Sequence, residues 1–443
     1  MFFCVHEWRC FIMTLSQIIA LVIFILTFTL LLTEKVHRTI AAMVGASVMV
    51  GTGIIMKFYS AEEALHTVDF ETLGLLLGMM ILVRLLQQTG FFQYAAIVTA
   101  KKSRGNVWFL LLFLGGITSV LSMFLDNVTT VVLIAPVTIL IAEMLHINAV
   151  PFLMVEAMLS NIGGVATMVG DPPNVIIATV TKFTFLEFLT HLAPMSLVSW
   201  AVTLILFRII FRKELSAKPK TIKGLMSLDE KKALKDPQDA RKILTVLGFV
   251  IILFFLQGVL HLTPAYVALT GASLALLIVR PPMEETVRHV EWNVLLFFAS
   301  LFICVGGLKF SGLLELFSCG IIELARENIL LADMLLLWVS AIASGVIDNI
   351  PFTIAMVPVI QKLGEMGIQV TSLWWALALG VGLGGNATPL GSTANVIIVS
   401  LSEKTKKPIS FNFWLRTGIP VMIFTCLVIS LLFIIFFKWM NTP

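Results

Sequence analysis

Apolar stretches of membrane-crossing length follow one another along nearly the whole chain. A helix needs roughly 20 apolar residues to cross a bilayer, and such runs lie near 15–32, 39–56 and 70–88. A longer apolar pair follows, 106–125 and 128–145, divided by the polar Asp126-Asn127. Next comes 150–181, interrupted at Gly170-Asp171-Pro172-Pro173, and then a run at 192–211. After a polar stretch the order begins again: 243–260, 266–280, 292–309, a divided pair over 332–362, an interrupted segment over 373–400, and 413–438. The pattern predicts an all-α polytopic membrane protein with about 10 transmembrane helices, two re-entrant helical hairpins and two broken helices.

The polar interruptions repeat as well. Asp126-Asn127, Pro136, Gly163-Gly164, Ala166-Thr167 and Gly170-Asp171-Pro172-Pro173-Asn174-Val175-Ile176-Ile177 form the first copy. Asp348-Asn349, Pro358, Gly384-Gly385, Ala387-Thr388 and Gly391-Ser392-Thr393-Ala394-Asn395-Val396-Ile397-Ile398 form the second. Val68-Asp69-Phe70 is echoed by Val290-Glu291-Trp292, and Gly45-Ala46-Ser47 by Gly271-Ala272-Ser273. The chain therefore divides into a first repeat (1–211), a linker (212–242) and a second repeat (243–443). Duplicated membrane units broken by Gly and Pro at matching places are the signature of a secondary transporter, with the binding site at the breaks.

Charge sets the expected orientation. The linker holds ten Lys/Arg and five Asp/Glu and no apolar run, so it reads as a solvated basic connector on the cytoplasmic side. If each divided pair enters and leaves on one face, each repeat makes five crossings and the second repeat is inverted. Loops 33–38, 88–105, 281–291 and 401–412 then fall inside with their Lys and Arg, while 57–69, 261–265 and 310–331 fall outside. No small-residue cleavage site follows the first apolar run, so a signal peptide is not expected. The chain is 58% hydrophobic and 13% charged, where a soluble domain carries about 25% charged residues. Its net charge of +4 bears on topology, and no nucleic-acid partner is expected. The five cysteines (Cys4, Cys10, Cys304, Cys319, Cys426) show no metal-ligand spacing and read as small buried hydrophobes. No nucleotide-binding loop, zinc-enzyme motif or nucleophile–base pair is visible, so an enzyme is not expected.

The candidate chemistry sits at the interruptions. A charge at the bilayer centre costs at least ~2.5–3.5 kcal/mol, so Asp126 and Asp348 need a function or a partner. Both also suit the N-cap of the helix that follows, and the two readings are compatible. A helix starting inside the membrane points free N–H groups at the midplane. Gly163, Gly164, Gly384 and Gly385 permit close approach or unwinding and are expected to bring backbone to the substrate at the cavity wall, and Pro172, Pro173 and Pro389 break the ladder. The side chains of Asn127, Thr130, Thr167, Asn174, Asn349, Thr388, Ser392, Thr393 and Asn395, with the freed backbone, are expected to line a polar cavity. The repeats differ at Asp171, which aligns with Ser392, and at Glu156, which aligns with Leu377. Asp171 is read either as a proton carrier or as an N-cap, and Glu156 as a station on a proton path. Arg84, Glu143 and Lys309 lie near span ends, where snorkelling accounts for them.

At Leu125-Asp126-Asn127-Val128-Thr129-Thr130 and Gly170-Asp171-Pro172-Pro173-Asn174, with their echoes, the chain resembles the ArsB/NhaD ion-transporter superfamily over essentially its whole length. That superfamily includes arsenite/antimonite efflux proteins, Na⁺/H⁺ antiporters and the melanosomal P protein, and the length and basic linker resemble the ArsB branch. The resemblance implies alternating access around a midplane site, with arsenite or antimonite exported from a prokaryotic cytoplasm through the inner membrane against protons and no cofactor. Proton coupling would fall to Asp126 and Asp348, then Asp171 and Glu156. Two other readings stay open: a Na⁺/H⁺ antiporter, with the same oxygens as cation ligands, and a passive channel. The linker either orients the protein or also docks a soluble ATPase subunit. Oligomeric state is not readable.

Overall fold

A computed structural model describes residues 13–33, 35–217, 219, 223–313, 327–405 and 407–442. Cys4, Cys10, Cys319 and most of the 310–331 loop lie outside the described residues. Every regular element among the described residues is helical.

The first repeat runs α1 (Leu15–Thr33), α2 (Arg38–Met56), α3 (Ala61–Thr67), α4 (Phe70–Gln88), α5 (Phe91–Lys102), α6 (Val107–Ser122), α7 (Asn127–Leu145), α8 (Val150–Val165), α9 (Pro172–Thr181) and α10 (Phe185–Ile210). The linker carries α11 (Arg212–Leu215), α12 (Lys223–Ser227) and α13 (Glu230–Ala233). The second repeat restates the order as α14 (Pro237–Leu260), α15 (Pro264–Val279), α16 (Met283–Arg288), α17 (Trp292–Phe310), α18 (Ile329–Val346), α19 (Asn349–Glu365), α20 (Thr371–Gly384), a 3₁₀ turn (Pro389–Gly391), α21 (Thr393–Ser402), α22 (Phe411–Ile435) and α23 (Phe437–Met440).

Matching signals set matching boundaries. Polar N-caps start α4, α6, α7, α10, α14, α15, α18, α19 and α22 by accepting a backbone N–H in the first turn. Prolines lie inside α7 and α19 at Pro136 and Pro358, and inside α10 and α22 at Pro194 and Pro420. Among the described residues, eight helices are long and apolar enough to cross a membrane: α2, α4, α7, α10, α14, α17, α18 and α22. Length makes α7 and α18 candidates too, yet each is one arm of a hairpin whose tip ends at the centre of the molecule. The two halves of each broken segment, α8 with α9 and α20 with α21, are individually too short.

The second repeat is inverted. α2 and α17 run parallel, with Thr39 donating to the Asn293 carbonyl at one end (3.0 Å) and Tyr59 to the Ile303 carbonyl toward the other (3.0 Å). Thr67, just ahead of α4, packs on Gly306 near the end of α17. The repeat-mates α4 and α17 thus point in opposite directions. Pairs across the repeats, α2 with α17 and α4 with α15, form the scaffold. Each hairpin packs on its own broken segment, and the restart helices exchange partners: α9 contacts α19, and α21 contacts α7. All of α8 and nearly all of α20 are buried. Ile55, Val259, Leu277 and other large apolar side chains face outward, as a lipid-facing surface requires.

The linker differs from the solvated tether that its charge suggests. Leu225 is fully buried, and α12 packs on α7 and α5 while α13 packs on α5. The Lys235 and Asp236 amides both donate to the Thr89 carbonyl, at 2.8 and 3.4 Å. Lys101 pairs with Glu230 and holds that carboxyl below its ordinary range. The linker is therefore a strap across one end of the first hairpin. Because α4 ends at Thr89 beside this strap, the linker marks one face of the molecule.

The scaffold depends on close helix approach. A Cβ on Gly78 would sit 2.6 Å from the Ala268 carbonyl carbon, whereas one on Gly51 meets nothing within 4 Å. Gly78→Leu should therefore cost about 1–3 kcal/mol or more by overpacking, lowering the thermal midpoint and the monodisperse yield in detergent. Gly51→Leu should leave both unchanged. Equal behaviour of the two variants would contradict the α4–α15 packing.

Candidate functional site

The hairpin tips are built by helix starts. Asp126 caps α7, accepting from the Thr129 amide (2.8 Å) and hydroxyl (2.5 Å). Asp348 caps α19, accepting from the Ile350 amide (3.3 Å). Beyond the cap the two differ. Asp348 also accepts from the Thr393 hydroxyl (2.9 Å) and pairs with the Arg38 guanidinium (3.3 Å), which itself donates to Thr393 (2.5 Å). Asp126 has no basic partner among the described residues.

The breaks are held by a duplicated set of bonds. Thr167 donates to the Met123 carbonyl, and Thr388 to that of Gly345 (2.6 Å). Ser122 donates to the Ser160 carbonyl (2.6 Å), and Ser344 to that of Val381 (2.7 Å). The Asn174 amide reaches the carbonyls of Val165 (2.9 Å), Thr167 (2.8 Å) and, more weakly, Gly164 (3.4 Å). The Asn395 amide reaches those of Gly385 (2.7 Å) and Thr388 (2.9 Å). A Cβ on Gly163 would collide with the Ser119 backbone, and one on Gly384 with that of Ala341. Gly164 and Gly385 lie less tightly against the carbonyls of Gly170 and Gly391, which a Cβ would meet at 2.7 and 3.0 Å.

Eight residues expected at the cavity wall are thus part of its frame: Gly163, Gly164, Thr167, Asn174, Gly384, Gly385, Thr388 and Asn395. Thr130 joins them, with its hydroxyl on the Asp126 carbonyl (3.0 Å). None of the nine lines the cavity.

Tips and breaks meet around a cavity of about 60 Å³ lined by Asp126, Asn127, Asp171, Asn349, Ser392 and Thr393, with Arg38 and Glu291. The repeats cross here. Asn349 donates to both carboxylate oxygens of Asp171 (3.2 and 3.1 Å), and Asn127 donates toward the Ser392 hydroxyl (3.4 Å). Of the two readings of Asp171, the capping one is absent: its side chain makes no cap bond to α9. Glu156 is buried one helix away, accepting from Thr138 (2.5 Å), and does not line the cavity.

Four residues were not legible as site members. Arg38 looks like an ordinary loop cation, and Glu291 shows only as the echo of Asp69. Asn161 accepts from Asn127 (2.9 Å) and Ser392 (2.9 Å), and donates to Asn386 (2.9 Å) and Asn395 (3.2 Å). Asn161 and Asn386 thereby join the two repeats behind the cavity. Their one sequence signal is a carboxamide beside each Gly-Gly pair.

A cleft lined by His37, Arg38, Arg288 and Glu291 adjoins the cavity. These residues precede α2 and α17, which start on the linker face. On the opposite face a separate cleft, lined by Asp69, Lys309 and Gln361 among others, shares no residue with the cavity. The cavity thus shares lining residues with the cleft on the linker face and none with the cleft on the opposite face, and its walls hold three carboxylates, Asp126, Asp171 and Glu291, against the guanidinium of Arg38. Cys304 and Cys426 lie elsewhere.

The profile of the CitMHS family, described as citrate transporter, matches residues 28–380. A "46 kDa membrane protein" of Mycobacterium leprae is 41% identical, over 92% of this chain and 96% of its own length. An uncharacterized transporter of Mycobacterium tuberculosis is 39% identical, over 91% of this chain and 95% of its own. The P protein of Homo sapiens is 34% identical, over 90% of this chain and 58% of that longer protein. In structure the chain is similar to the Alcanivorax borkumensis YdaH transporter, with a TM-score of 0.61 at 15% identity, covering 97% of this chain and 100% of that one.

Frame and wall residues should separate by experiment. Asn174→Ala orphans buried carbonyls at ~1–3 kcal/mol each and should lower the unfolding midpoint in detergent. Asn349→Ala, which frees one cavity-facing carboxyl and no backbone carbonyl, should lower that midpoint less and remove transport. The reverse pattern would contradict the assignment.

Proposed function

The chain belongs to the CitMHS citrate-transporter family, and from that premise we propose that this secondary transporter exports arsenite and antimonite from the cytoplasm in exchange for protons. The observation that carries the reading is the small, thiol-free cavity between the two tips and the two breaks, with a cluster of carboxylate, amide and hydroxyl groups set in an otherwise apolar wall of residues such as Leu75, Met79 and Phe297. A buried water occupies roughly 10–15 Å³ on this measure, so about 60 Å³ suits a body of only a few heavy atoms. Free citrate, the cargo in the family's description, is larger and would bring three negative charges to the three carboxylates of the wall. As(OH)₃ is neutral at pH 7, has four heavy atoms, and offers three hydroxyl donors to carboxylate and amide oxygens.

Coupling follows from competition for those acceptors. A deprotonated carboxylate accepts a cargo hydroxyl, while a protonated one presents its own donor. Asp348 is neutralised by Arg38, so the exchangeable proton falls to Asp126 and Asp171. Carboxylates sharing a confined site resist joint ionisation, which favours proton uptake when cargo leaves. Moving one net charge supplies ~2.3 kcal/mol per 100 mV, enough for roughly a fifty-fold gradient. The positive-inside rule supports a cytoplasmic linker face, on which reading the cavity in this conformation opens toward the cytoplasmic side. Closure there and opening toward the Asp69–Lys309 cleft would complete alternating access.

One observation favours a second reading, Na⁺/H⁺ antiport: the excess of carboxylates is a hard-oxygen environment that suits a monovalent cation.

Arsenite uptake into everted vesicles should rise with an imposed proton gradient, and Asp126→Asn and Asp171→Asn should each reduce it at least tenfold while the protein still inserts. Cys304→Ser with Cys426→Ala should change it less than twofold. Wild-type uptake in both Asp variants would sink the coupling assignment, and proton movement triggered by Na⁺ with no arsenite uptake would select the cation reading.

A further inference from the structure

The seam between α18 and α20 holds a carboxyl that the central site does not use. Asp333 is fully buried on α18, one turn past the Asn328 cap, and neither carboxylate oxygen has a hydrogen-bond partner. The Ser372 hydroxyl at the start of α20, also unpartnered, lies against it. Two turns along the same face of α18 the Ser340 hydroxyl is again unpartnered and faces Gly380. The two helices run parallel from there, with Ala341 against Gly384 and Gly345 against Ala387. At the far end the Asn386 amide nitrogen is also without a partner, and its oxygen accepts from Asn161, which bonds Asn127 and Ser392 at the cavity.

Unpartnered buried polar atoms are few in folded proteins, and each needs an explanation such as water or an ion. Five of the twelve such atoms among the described residues, on Asp333, Ser340, Ser372 and Asn386, lie along one seam that leads from the outer start of α18 toward the site. A buried carboxyl with no partner carries a proton or a cation, because a bare charge there is prohibitively costly. No charged side chain faces Asp333 among the described residues. α20 has no titratable group, α22 contributes buried Cys426 and an Arg416 near its opposite end, and Lys438 of α23 is exposed. Lys362 and Glu365 of α19 pair with each other at 3.0 Å. That leaves a proton as the simplest occupant.

The feature belongs to one repeat. At the corresponding places the first repeat has Leu111 and Pro151, and Thr118 turns its hydroxyl onto the Leu114 carbonyl of its own helix (2.8 Å). Asp333 also lies on the face opposite the linker. α18 and α20 start there, beside the end of α22, as the Trp338–Ser430 bond (3.1 Å) shows.

We propose that Asp333 is a proton-binding site at the outer end of the α18–α20 seam, through which the proton used for transport enters the molecule. This rests on the proton-coupled reading above. The proton binds a carboxylate oxygen of Asp333 from the outer medium and passes by way of Ser340 and intervening water toward Asp126 and Asp171. Each relay group accepts one proton as it releases another.

Two readouts on the full-length, reconstituted protein test this. Difference infrared spectroscopy across a pH step should show a protonated-carboxyl band that Asp333→Asn removes and Asp333→Glu restores at a shifted position. In everted vesicles, Asp333→Asn should move the dependence of arsenite uptake on luminal pH by at least one pH unit, and Asp333→Glu should restore it. A band and a pH profile unchanged in Asp333→Asn overturn the proposal, since a merely structural Asp333 moves neither. If the wild-type protein shows no proton-dependent uptake, the antiport reading falls and the infrared band alone decides whether Asp333 holds a proton.

Discussion

Two hairpin tips and two broken segments leave peptide groups unpaired at the centre of the molecule, away from water. Such groups are costly unless they find partners. The chain answers with one set of short polar side chains used twice: Ser122 and Ser344, Thr167 and Thr388, and Asn174 and Asn395 each donate to carbonyls that the breaks set free. Glycines at 163 and 384 let the helices approach closely enough for those bonds. The cavity exists because this frame holds the four chain ends apart without collapsing them.

Function depends on where the two copies stop being alike. The frame is symmetric, but the wall is not. One tip carboxylate is tied to Arg38 and the other has no cation among the described residues; one break offers Asp171 and the other Ser392. A symmetric scaffold gives two nearly equivalent ways to pack, which is what alternating access needs. On the proposed antiport reading, the unmatched carboxylates would give those packings different affinities for a proton. Arg38 also links α2 to the second tip and to the restart of α21, so a scaffold helix and two elements of the site meet at one side chain.

The sequence carries the fold well because Gly, Pro, Asp and Asn inside apolar runs have few purely structural explanations. Asp126, Asp171, Asn349 and Ser392 could be placed at the centre for that reason. It was less informative about which polar residue faces the cavity and which holds the backbone. Asn174 and Asn349 are equally good donors on paper, and only the position of freed carbonyls distinguishes them. Arg38 and Glu291 sit at helix ends, where charge is ordinary, and reach the cavity only through tertiary packing. The strap is similar: Leu225 is one apolar residue among lysines, and its burial depends on α7 and α5 lying beneath it.

The central claim is that cargo and proton compete for the same carboxylates. Calorimetric titration of arsenite into the purified protein, in buffers of different ionisation enthalpy, counts the protons released on binding. The account predicts release of about one proton per arsenite bound near neutral pH, lost in Asp126→Asn or Asp171→Asn. Binding with no proton release, or release unchanged in both variants, would contradict it.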